Sequence, residues 1–311
     1  MFNLLKETFR EWRDDAAPRL AASLAYYTTF SLAPLLILII AIAGLIGGRQ
    51  AAQNQTMAEV QDLLGTDGRQ FVQGMIESAS RPSTGLMATV LGAVTLLFGA
   101  LGVFGELQNS LNTIWEVKPK PAKDLLDGIR RFVIKRLLSF TMVLGIGFLL
   151  LASLVISAAL SALGQYIGNW LPLADFWLQL LNFLISFLVI TLLFGMIFKF
   201  LPEIKIAWKD VWLGAAVTSA LFTLGKFLIG LYLGRSRVVS TFGAAGSLAI
   251  LLIWIYYSAQ ILFFGAEFTQ VYANKYGSRI VPDPGMVKIT ELERAKQGIP
   301  HREAMERANR R

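Results

Sequence analysis

Three ionisable residues stand inside segments that are otherwise apolar: Lys226 in FTLGKFLIG, Glu106 in FGELQNSLN and Glu267 in FFGAEFTQ. A charged side chain in hydrocarbon is costly, so each is read as facing the interior of a helix bundle, a water-filled cavity or a partner. Groups so placed can bind a lipid headgroup, serve a substrate as counter-ion or pass a proton. Ser219, Thr223 and Gly230 share the helical face of Lys226. That lysine could equally snorkel, its stem lying along the helix and its ammonium reaching the interface. Glu267 belongs to a stripe formed by Tyr256, Gln260, Phe263, Glu267, Gln270 and Asn274, spaced by threes and fours. Glu106 lies in a second stripe, Gly92, Thr95, Gly99, Gly102, Glu106, Asn109 and Thr113, whose small residues allow close helix approach. Arg130 and Arg131 are candidate mates for Glu106. Ser23, Tyr27, Phe30 and Pro34 share one side of another segment, where the proline removes a backbone donor and predicts a kink near Phe30. Arg235 and Arg237 sit in a connecting loop, where they could attract an anion or anchor at the interface. Together the stripes describe either a polar cleft or a packed polar core.

The chemistry that is absent narrows the field. The chain has no cysteine and one histidine, His301, near its C-terminus. Thiolate metal sites, iron–sulfur clusters and a cysteine nucleophile are excluded, as is a histidine dyad inside a membrane. Neither metal nor cofactor is expected. Asp124, Asp127, Glu203 and Asp210 are scattered among lysines and form no nuclease-like cluster.

The elements that position these residues follow from composition. Of 311 residues, 55% are hydrophobic and 16% charged, and several nearly uncharged runs exceed 20 residues. Each such run can cross a hydrocarbon core of ~30 Å as a helix. The fold class is therefore all-α, a polytopic membrane protein with six predicted spans at about 20–47, 85–107, 137–163, 176–200, 211–234 and 242–271. Residues 1–277 form the transmembrane domain and 278–311 a polar tail. Between the first two spans, QTMAEVQDLL and RQFVQGMIESA predict two amphipathic helices separated by GTDG. Their apolar faces are Met57, Val60 and Leu64, then Phe71, Met75 and Ala79. The N-terminal stretch carries both charge signs and lacks a signal peptide's apolar core and cleavage site, so the first span is expected to stay uncleaved.

The net charge of +8 is explained by placement. With these spans, 23 basic residues fall on one side and five on the other, with Lys226 within a span. The positive-inside rule then puts both termini in the cytoplasm. The basic residues meet anionic lipid headgroups, and nucleic acid is not an expected partner.

Four segments carry a family resemblance: RLAASLAYYTTFSLAPLLILIIAIAG, FGELQNSLNTIWEVKP, FLPEIKIAWKDVWLGAAVTSALFTLGKFLIGLYL and FGAAGSLAILLIWIYYSAQILFFGAEFTQVYA. Over about residues 1–277 the chain resembles the YihY/BrkB family of bacterial inner-membrane proteins. The resemblance implies a six-helix protein of the bacterial inner membrane, associated with serum resistance, the cell envelope and lipid trafficking. It carries Pro34, Glu106, Asn109, Trp115, Lys226, Gly243, Gly246 and Glu267 as motif positions, and Phe242 stands where the family often has tyrosine. The family has also borne a ribonuclease label, against which the scattered carboxylates and lone histidine argue; no enzymatic activity is expected. The leading expectation is a transporter or lipid-handling protein. Its cleft would be lined by Lys226, Glu267, Glu106, Asn109, Gln260, Tyr256, Thr223, Pro34 and Tyr27, and would take an anionic or amphiphilic substrate. The alternative is a structural or adaptor protein of the cell envelope, with the stripes as helix–helix contacts.

Overall fold

A computed structural model describes residues 2–79, 102–121, 174–235 and 244–301, with scattered positions between 124 and 145. The described chain is mainly helical. Helix α1 (Phe2–Asp14) meets α2 (Ala17–Gly47) through Asp15 and Ala16, and Ala16 turns the chain with a left-handed φ of 51°. Pro18 opens α2, where its fixed φ suits the first turn and its missing N–H costs nothing. The helix continues through Pro34 to Gly47.

Gly48, at φ 84°, reverses the chain into α3 (Arg49–Ala79). Gly65 interrupts α3 with φ 75° and ψ −176°, inside the predicted GTDG break. Met57 and Leu64 are buried as the first amphipathic pattern requires. In the second half Val72 and Ile76 are the fully buried apolar residues, and the predicted Phe71 packs against them while Met75 is half-buried. The face is one residue wider than predicted because it joins a core with Leu36, Ile40, Leu251 and Trp254 of neighbouring helices.

Helix α4, residues 102–114, leads through buried Trp115 and left-handed Glu116 into strand β1 (Val117–Pro119). Then come α5 (Ala174–Phe200), β2 (Ile204–Lys205), α6 (Trp208–Arg235) and α7 (Ala244–Lys275). Strands β3 (Val281–Pro282) and β4 (Met286–Lys288) and the short α8 (Glu291–Lys296) complete the described chain.

Four of these helices are long and apolar enough to cross a membrane: Ala17–Leu45, Phe183–Phe200, Trp208–Ile229 and Gly246–Lys275. They correspond to the first, fourth, fifth and sixth predicted spans. The predicted second span is described only over 102–107 and the third only at isolated positions, so the rest of both lies outside the described residues.

Two reciprocal glycine–threonine contacts lock α6 against α7. A Cβ on Gly214 would lie 2.8 Å from Thr269 Cβ, and one on Gly265 would lie 2.8 Å from Thr218 Cβ. Each threonine hydroxyl donates to its own helix, Thr218 to Gly214 O and Thr269 to Gly265 O, both at 2.7 Å. The hydroxyls fill the notches while staying bonded to their own helices, a small-residue solution suited to helices in lipid. Further along, Gly225 is buried against Tyr257 and Ile261. These pairs run in opposite directions along the two helices, so α6 and α7 are antiparallel.

The residues after α7 are tied to the bundle. Strand β3 pairs antiparallel with β2, and β4 with β1. Asp210, 1% exposed in the first turn of α6, accepts hydrogen bonds from Ser278 N at 2.9 Å and Ser278 Oγ at 2.7 Å. A carboxylate there also suits the positive end of the helix dipole.

Candidate functional site at the termini end of the bundle

Helix α1 is built with three faces. Leu4, Thr8 and Asp15 are buried, with Glu11 partly covered between them, and Leu4 packs with Phe268 and Val271 of α7. Helix α1 and the described segment after α7 therefore gather where α7 finishes. There, a cavity of about 380 Å³ is lined by Glu7, Glu11, Glu116, Gln270, Asn274 and His301, among others. Gln270 and Asn274 are the last two members of the stripe predicted on α7, so that stripe does open into a charged hollow. Glu267 lies one turn deeper. It is fully buried and lies against the equally buried carboxyl of Asp15.

The charges around this hollow come from distant parts of the chain. Arg294 of α8 is 1% exposed and pairs with the equally buried Asp15; it also reaches Glu116 at 3.5 Å. His301 contacts Glu11 at 3.4 Å and Glu116 at 3.1 Å, and also touches Glu291. Lys118 of β1 pairs with Glu293, whose carboxylate also closes the capping box of α8 on Thr290. Lys275 pairs with Glu7 at 2.6 Å.

These placements set the protonation states. Burial lifts Asp15 from 3.8 to about 6, with Arg294 pulling the other way. Glu11, Glu116 and Glu291 raise His301 from 6.5 to about 11, so it is an imidazolium at neutral pH. Burial opposes ionisation of Glu11, but His301 and Arg10 outweigh it and lower its pKa. One guanidinium and one imidazolium thus stand among Asp15, Glu11, Glu116 and Glu291. The arrangement can hold and release charge. It has no group poised as a nucleophile, and no metal-holding cluster of His, Asp or Glu occurs among the described residues.

The other predicted residues are placed as follows. Glu106 accepts a 2.5 Å hydrogen bond from Ser23 of α2; of its predicted mates, Arg130 is exposed and Arg131 lies outside the described residues. Ser23 projects from the neighbouring helix at the same level. Asn109 is exposed, while Gln108 donates to Leu201 O at 2.9 Å and Asn112 to Glu203 at 2.9 Å. Gln260 is half-buried, with its Oε1 sequestered and without a partner among the described residues. Tyr256, at 37%, and Tyr27, at 44%, are exposed. Thr223 donates to Ser219 O within its own helix at 2.8 Å.

Lys226 is half-buried at the margin of the packed face: Gly225 beside it is enclosed, whereas Phe227 and Leu228 are exposed. Because Gly214 faces Thr269 and Thr218 faces Gly265, Glu267 stands level with residue 216. Lys226 is ten residues further along α6, about 15 Å at the helical rise. That exceeds the combined reach of the two side chains, so Lys226 and Glu267 stand at different depths and do not pair directly. Arg235 ends α6, and Arg237 lies outside the described residues.

Comparison with known proteins adds the lineage. A profile of the family described as Virulence factor BrkB matches residues 8–289. The chain belongs to the BrkB family. Its relatives include a UPF0761 membrane protein of Stenotrophomonas maltophilia, 29% identical over 82% of this chain and 57% of the relative. Another, from Alcanivorax borkumensis, is 25% identical over 86% of this chain and 60% of the relative. The chain therefore spans somewhat more than half the length of these relatives. No solved structure matches. The BrkB match runs through β4 to residue 289, so the paired strands of the C-terminal segment fall within it, while Arg294 and His301 lie beyond.

Sequence reasoning missed Asp15, Glu11, Glu116, Arg294 and His301 as one cluster. The spacing of Leu4, Thr8, Glu11 and Asp15 on one helical face was a readable signal. Nothing local marked Arg294, because its environment is built by segments nearly 280 residues away.

Proposed function

We propose that this BrkB-family protein is a non-enzymatic transporter or lipid-handling protein of the bacterial inner membrane. The termini end of its bundle serves as one gate of the path. The observation that carries the reading is Glu267: a carboxylate on a spanning helix, fully buried against a second buried carboxyl, Asp15, one turn from a charged cavity. Such a group opposes stability and has little place in a purely structural bundle. An anionic or amphiphilic substrate, or a proton, is what it would meet as the end of the bundle opens. Lys226, some 15 Å deeper, would act as a separate headgroup ligand or counter-ion. The charge bias of 23 to five supports both termini being cytoplasmic.

The test is translocation of fluorescently labelled phosphatidylglycerol in vesicles holding the full chain. Wild-type protein is expected to speed lipid movement between leaflets, and Glu267→Gln to abolish most of that gain while remaining inserted and folded. Unchanged activity in Glu267→Gln removes the carboxylate from the mechanism. Wild-type vesicles no faster than protein-free ones, for this lipid and a zwitterionic one alike, favour the adaptor reading. Orientation is checked separately: the chain lacks cysteine, so Lys296→Cys in cells should resist a membrane-impermeant maleimide.

A further inference from the structure

The second face of α1 carries a feature that the gate does not use. Asn3, Lys6, Arg10 and Arg13 recur at spacings of three and four and line, with Glu7 and Phe9, an open hollow of about 540 Å³. Beside this basic stripe runs an apolar one, Leu5, Phe9 and Trp12. Leu5 is 42% and Phe9 54% exposed, and Phe9 stacks on Trp12 with centroids 5.6 Å apart. Lys6 and Arg13 are exposed and make no ion pair among the described residues.

The helix is also fixed in depth. Only Asp15 and Ala16 separate it from the first spanning helix, and its buried face is held by Phe268 and Val271 at the end of the last. Leu4 meets Phe268 and Val271 and Glu7 meets Lys275, so α1 sits at the level where the last candidate span ends. A helix held at that level with adjacent cationic and apolar stripes meets headgroup phosphates with one and acyl chains with the other. Aqueous partners do not fit as well, because exposed Leu5 and Phe9 would then remain in water.

We propose that this face of α1 is a binding site for an anionic phospholipid, with Lys6 and Arg13 holding the headgroup phosphate and Phe9 lying against the upper acyl chain. The site is independent of the transport reading and would exist equally in an adaptor.

The experiment titrates the full chain, purified in non-ionic detergent, with short-chain phosphatidylglycerol, short-chain phosphatidylcholine and inorganic phosphate, reading the rise in melting temperature. Saturable stabilisation is expected with phosphatidylglycerol alone. Lys6→Gln/Arg13→Gln should weaken it on the order of tenfold or more. That pair leaves Arg10, which bonds Glu11 at 3.0 Å, untouched. The charge-conserving Lys6→Arg/Arg13→Lys should bind as wild type. If the glutamine variant fails to fold, the salt dependence of wild-type binding decides, since raising NaCl from about 50 mM to about 500 mM should abolish most of the effect. Equal affinity in wild type and the glutamine variant overturns the proposal, as do salt-independent binding, equal stabilisation by phosphatidylcholine, and reproduction of the effect by free phosphate.

Discussion

Replacing Arg294 by methionine isolates the charge at the centre of the termini cluster, because the apolar stem is kept and only the guanidinium is lost. Arg294 and Asp15 are 1% and 2% exposed, so their pair is shielded from water on all sides. Removing one partner of a buried pair costs about 3–5 kcal/mol, because the other charge stays buried alone. For a chain of this size each kcal/mol shifts the melting temperature by roughly 2–4 °C, so the variant should melt roughly 6–20 °C below wild type. The loss should also depend on pH in a definite direction. Asp15 titrates at about 6 in the folded protein against 3.8 unfolded. A raised carboxyl pKa contributes stability that is present below the unfolded value and lost as pH rises through the folded one. In Arg294→Met the counter-charge is gone and the protonated carboxyl is favoured further. The deficit should then be largest near pH 8 and shrink near pH 5. Asp15→Asn added to Arg294→Met should recover part of it, since no ionised group then remains buried at that position. The assay is a thermal melt of full-length protein in mild detergent across that range. A deficit under about 1 kcal/mol, or one that does not change with pH, would refute the view that this pair is buried and coupled.

Three other outcomes are expected. His301→Gln should lower the melting temperature, with a difference fully present below pH 6.5 and declining as pH rises towards about 11, since three carboxylates raise the folded-state value; melts across pH 5 to 10 check this. Gly265→Val should cost about 1–3 kcal/mol or more by forcing a methyl into Thr218, and adding Thr218→Gly should restore part of the loss, read by detergent melts of both proteins. Lys226→Met should leave abundance and insertion unchanged but remove the protein's contribution to envelope-stress survival in a deletion strain; full complementation by that variant would exclude the lysine from function.

What the sequence made legible, and what it did not, divides by the range of the interaction involved. The spans were readable because hydrocarbon imposes a length and an apolar composition on each segment separately, and four of six are found where expected. The α7 stripe was readable for a similar reason, since helical periodicity alone put Glu267, Gln270 and Asn274 in line. Its partners were not. Glu106 was matched with arginines near it in sequence, yet Ser23, 83 positions away, supplies the hydrogen bond. Arg294 stood in a segment that reads as a solvated tail, yet β1–β4 pairing carries it to Asp15, 279 positions away. This changes the logic of one experiment. Deleting residues 284–311 separates a transporter from an adaptor only if that segment is dispensable to the fold. The deletion would remove β4, Arg294 and His301 together, leaving Asp15 buried without its cation and Glu116 without either partner. Loss of function in such a truncation therefore reports on stability in both readings, whereas Glu267→Gln leaves every strand and ion pair in place and can tell the two apart.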